Sequence, residues 1–81
     1  MSTELNGLYR GLVRDNVDPE GRFRLRVEVP LVSRDVLSWV EACMAPEQRD
    51  VPGIGDSIWV MFEGGDLRHP VWLGVHPSRP A

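Results

Sequence analysis

Few residues of this chain have side chains able to do chemistry, and their spacing fits none of the arrangements that chemistry requires. Asp15, Asn16, Asp18 and Glu20 gather four oxygen-bearing side chains in one stretch, which in principle is calcium chemistry. The spacing departs from the EF-hand loop and Pro19 stiffens the segment, so residues 15–21 read as an ordinary turn. His69 and His76 stand apart from Cys43, and a zinc site needs a third and usually a fourth ligand. No metal and no cofactor is expected. Ser33, Ser38 and Ser57 lack the context of an activated nucleophile, and nothing near Cys43 signals a base. Glu41 and Glu63 form a conceivable acid–base pair, but nothing in the sequence points to a raised pKa. Gly64-Gly65 is a turn, because a phosphate loop needs more glycines leading into a helix. The chain reads as a non-enzyme.

Charge gives more. All nine positive residues are arginines, against twelve acids, for a net charge of −3 and a pI near 5.2. Arginine suits interface ion pairs, because its planar fork engages a carboxylate at two points. Arg22, Arg24 and Arg26 alternate with Phe23, Leu25 and Val27, which places the three cations on one outward face of a strand. That face can meet Glu41, Glu63 or Asp66 of a neighbouring polypeptide. It can also serve single-stranded nucleic acid, with Trp59 and Trp72 as stacking platforms. The acidic balance, and Phe23 facing away from the arginines, make nucleic acid the weaker reading. The candidate contact residues are therefore Arg22, Arg24, Arg26, Glu63, Asp66, Trp59 and Trp72, all for protein–protein contact, while Tyr9, Trp39, Trp59, Phe62 and Trp72 are expected to hold the barrel.

Five strands must position them. Residues 56–74 form the organising hairpin. Ile58, Val60 and Phe62 alternate with Trp59, Met61 and Glu63, Gly64-Gly65-Asp66 supplies the reversal, and Pro70 opens the return strand. Residues 8–14 form a first strand whose internal Gly11 signals a bulge or a close backbone approach. Residues 22–29 form a second, with Phe23, Leu25, Val27 and Val29 inward. Residues 33–44 are ambiguous. Val36, Leu37, Val40, Cys43 and Met44 make a helical stripe, while Leu37, Trp39 and Glu41 also alternate with Ser38, Val40 and Ala42. Five short strands in 81 residues give one all-β domain, a small five-stranded barrel of the OB type, with an SH3-like barrel as the alternative. The expected divisions are a flexible leader over residues 1–7, the barrel over 8–74 and an extended tail over 75–81. One cysteine excludes an internal disulfide, and no signal peptide or apolar run of membrane-spanning length is present.

The ordered set of motifs resembles a known family. Residues 9–16, 18–22 and 27–30, then Ser38-Trp-Val-Glu-Ala42, residues 51–56 and the block from Ile58 to Gly74 are similar to the OB domain of baseplate assembly protein V of contractile-tailed phages and of type VI secretion spikes. The similarity runs through most of the chain and is the reason for preferring a strand over residues 38–43. It implies a homotrimer on the tail axis, between the tail hub and the spike or tip protein of the same particle. The implied site of action is the virion baseplate or a related injection particle, after synthesis in the bacterial cytoplasm. Larger members of the family continue into a β-helical needle, which this sequence does not contain, so no membrane binding is expected of this chain alone.

Overall fold

The computed structural model describes residues 4–44 and 50–76. The five strands are β1 (Tyr9–Asp15), β2 (Leu25–Glu28), β3 (Val36–Ala42), β4 (Ser57–Phe62) and β5 (Pro70–Val75). They close into a barrel in the order β1-β2-β3-β5-β4. All neighbours are antiparallel except β3 and β5, whose parallel contact pairs Glu41 with Val71 and Ala42 with Trp72. This five-stranded, all-β closure is the expected OB-type arrangement.

The period-2 alternation explains the core. Val13, Leu25, Val27, Val29, Val40, Ile58 and Val60 are wholly buried, and Phe62 and Trp72 nearly so. At Gly11, β1 leaves no room for a side chain between its neighbours. A Cβ there would stand 2.6 Å from Val27 Cγ1 and 3.1 Å from Val60 Cγ2. The close approach expected of this glycine is therefore real, while the β1 bulge lies further on, between Val13 and Asp15.

Residues 33–44 resolve in favour of a strand, which begins at Val36. Opposite Arg26 of β2, β3 places two residues, Ser38 and Trp39, so the strand bulges there. Trp39 takes the left-handed conformation, φ 57°, which a bulky side chain rarely adopts. The second strand is shorter than its alternation suggests. It begins at Leu25, and Phe23 lies before it at φ 63°, outside the core set it was expected to join. The hairpin turn runs over residues 63–69, with Gly64 and Gly65 both at positive φ. Within the segment expected as a leader, Leu5 packs against the core cluster and its N–H donates to Gly65 O at 3.0 Å. Residues 1–3 and 77–81 lie outside the described residues.

Candidate assembly surface

The loop from β1 to β2 is organised by Asp18, whose side chain is only 2% exposed. Its Oδ1 accepts from the Glu20 N–H at 2.9 Å and from Arg24 Nη2 at 2.9 Å. Its Oδ2 accepts from Arg24 Nε at 2.8 Å and from the Arg22 and Arg24 N–H groups. The Arg24 guanidinium, with the backbone donors behind it, holds this carboxyl well below the usual carboxylate range. Asp15 accepts from the Val17 N–H, and Asn16 donates to Pro52 O at 3.0 Å. The Asp15 and Asp18 carboxylates are thus bound to the turn's own backbone and to Arg24. Among the described residues no group of three or more His, Cys, Asp or Glu is placed to hold a metal ion.

This arrangement gives two of the strand's arginines acidic partners within their own chain. Arg24 is committed within the chain, bound to Asp18, 3.5 Å from Glu20 and stacked 5.7 Å from the centre of the Trp39 ring. Arg22 reaches Glu41 of its own chain at 3.3 Å. Asp66 is held by Arg68 at 2.8 Å, which lowers its pKa to about 2. Of the charges named for intermolecular contact, Arg26 and Glu63 form no ion pair among the described residues.

Trp72 holds the barrel and is not available for contact. It was named as a contact residue, but it is 1% exposed, and its Nε1 donates to Phe23 O at 3.0 Å. Its place opposite Val60 puts the ring inside the barrel. Trp59 does lie outward and half-buried, between Arg10, 5.7 Å from its ring centre, and His76, edge-on at 4.7 Å. Cys43 is exposed, and its N–H donates to Trp72 O.

The sequence also held a signal that went unread. Strands β4 and β5 contain no charged residue on either face. A strand without charge on either face suits a position where its outer face is also covered. The outward side chains here are Trp59, Met61, Val71 and Leu73, and Met61 and Leu73 are each 39% exposed. The remaining exposed large apolar residues divide between the barrel's ends. Val17, Ile54 and Val75 lie at the end holding the β1–β2 and β3–β4 connections, and Leu8, Leu31 and Leu67 at the end holding β2–β3 and β4–β5. At the first end, Val17, Phe23 and Val51 line an apolar groove.

No curated protein gives a significant match to the chain. A family model described as the type VI secretion system/phage-baseplate injector OB domain matches residues 9–76, from the first residue of β1 to just past β5. The matched span includes all five strands, the Asp18 turn and the uncharged β4–β5 face, and the chain belongs to this family of injector OB domains.

Proposed function

We propose that this chain is a structural, non-enzymatic adaptor of a contractile injection machine, acting as a homotrimer between the tail hub and the spike or tip. Its work is mechanical. It joins two unlike partners so that contraction drives them as one body. The observation that carries the reading is the sorting of exposed apolar side chains to both ends of one small barrel, with Val17 and Ile54 at one end and Leu31 and Leu67 at the other. An exposed apolar residue alone needs no explanation, but exposed apolar side chains at both ends of a single domain fit an element held between partners. Arg26 and Glu63 supply charge to those contacts, and Trp59 borders the lateral one. Arg24 is bound by Asp18 beside Trp39, which, together with the acidic net charge, weighs against binding single-stranded nucleic acid.

The test is the copy number of this chain in purified contractile particles, measured by quantitative mass spectrometry against a tube subunit. Three copies per particle, independent of tail length, support the adaptor. Absence from the particle, or a number that scales with tail length, overturns it.

A further inference from the structure

The barrel's side wall has two unlike halves. The outer face of β1, β2 and β3 carries Arg14, Arg26, Glu28 and Glu41, with Arg14 and Glu28 paired at 3.4 Å. The outer face of β4 and β5 carries Met61, Val71 and Leu73, flanked by Trp59, and no charge. Met61 and Val71 stand directly opposite each other across the two strands. Leu73 is the extra residue of the bulge between the Trp59–Gly74 and Val60–Trp72 pairs, which turns it outward beside them.

The borders of this patch differ in sign. On the β1 side Arg10 pairs with Trp59 in register, and among the described residues it forms no ion pair. On the β3 side Glu41 is the register partner of Val71, and it is more than half exposed. The side wall thus holds one apolar patch with a cation at one edge and an anion at the other. Among the described residues no exposed large apolar side chain lies on β1, β2 or β3, so the patch meets its own kind. In a rotational ring, the β1 edge of one copy faces the β3 edge of the next, which brings unlike charges together.

We infer that the outer face of β4 and β5 lies on the threefold axis. There Met61, Val71 and Leu73 pack against the same residues of two further copies, and Arg10 of each copy meets Glu41 of the next. The inference rests on the trimeric reading above and deepens it by naming the contact. It moves the subunit interface away from the arginine strand. The in-chain Arg22–Glu41 pair does not oppose it, because an ion pair between two exposed side chains is weak and Glu41 can exchange partners.

Light scattering across a dilution series tests it on five variants beside the parent chain, with circular dichroism as the control for folding. The parent is expected at about three times 9.1 kDa, and Met61→Glu at 9.1 kDa. Arg10→Glu and Glu41→Arg each raise the concentration needed for assembly by roughly tenfold or more, and the double reversal restores it. A trimeric Met61→Glu, or a double reversal no better than its singles, overturns the inference and leaves the adaptor standing. A trimer lost in Arg26→Glu but kept in Met61→Glu overturns it in favour of the arginine strand. A parent chain that stays monomeric removes the trimeric reading itself.

Discussion

Asp18 grips Arg24 at two points, Nε at 2.8 Å and Nη2 at 2.9 Å, and so makes a cation expected on the strand's outer face the clamp of the loop before it. The same carboxylate accepts from the backbone N–H of Glu20, Arg22 and Arg24. The chain leaves this turn at Phe23 with its carbonyl directed to the buried Trp72 indole. One carboxylate thereby couples the connection to the core.

This coupling carries a pH dependence of defined sign. The folded pKa of Asp18 lies below its unfolded value, so its contribution is complete above the unfolded pKa, about 3.9, and is lost as pH falls toward the folded value. Asp18→Asn should lower the urea midpoint at about pH 7, and the deficit should shrink by about pH 3. Urea unfolding of both proteins at both pH values checks this. An equal deficit at the two pH values would contradict it.

Trp72→Phe removes the donor to Phe23 O while keeping an aromatic ring in the core. Leaving that carbonyl without its partner should cost about 1–3 kcal/mol. Trp72→Ala should cost about 3–5 kcal/mol, because a cavity is added. Thermal or urea unfolding reads both. A Trp72→Phe protein as stable as the parent would show that the indole hydrogen bond contributes nothing.

Gly11→Ala places a methyl group against Val27 and Val60, at a distance from Val27 that no real contact tolerates. Overpacking of this kind should destabilise by about 1–3 kcal/mol, whereas Gly→Ala at an open, extended position often stabilises. The sign of the change in unfolding free energy decides between the two.

Arg26→Glu should leave stability within about 0.5 kcal/mol of the parent, since Arg26 is exposed and forms no ion pair among the described residues. Its effect should appear in assembly with hub or tip, as a severalfold loss of incorporation into particles measured by mass spectrometry. Unchanged incorporation would remove Arg26 from the contact set.

The fold was legible where alternation ran without interruption. Ile58, Val60 and Phe62, and likewise Leu25, Val27 and Val29, announced their faces because a strand with one buried side repeats every two residues. Phe23 continued that pattern on paper and broke it in space, because Asp18 captures the backbone on both sides of it, and no periodic rule describes a loop. Arg24 was misplaced for the same reason, since its partner lies six residues back across a turn. Trp72 was expected both to hold the barrel, which it does, and to make contacts, because a short strand with apolar residues on both sides does not fix its face. The hairpin register that sets it opposite Val60 depends on a seven-residue turn, 63–69, whose length the sequence did not define. The uncharged outer face of β4 and β5 was readable and pointed to the side of the barrel, whereas the arginine run drew attention to the opposite wall.

The account turns on whether this chain assembles in threes, and the mass of the purified chain in solution tests that most directly. Multi-angle light scattering at moderate salt should return about three times 9.1 kDa, falling only on strong dilution. A mass of 9.1 kDa at every concentration up to the solubility limit would contradict it.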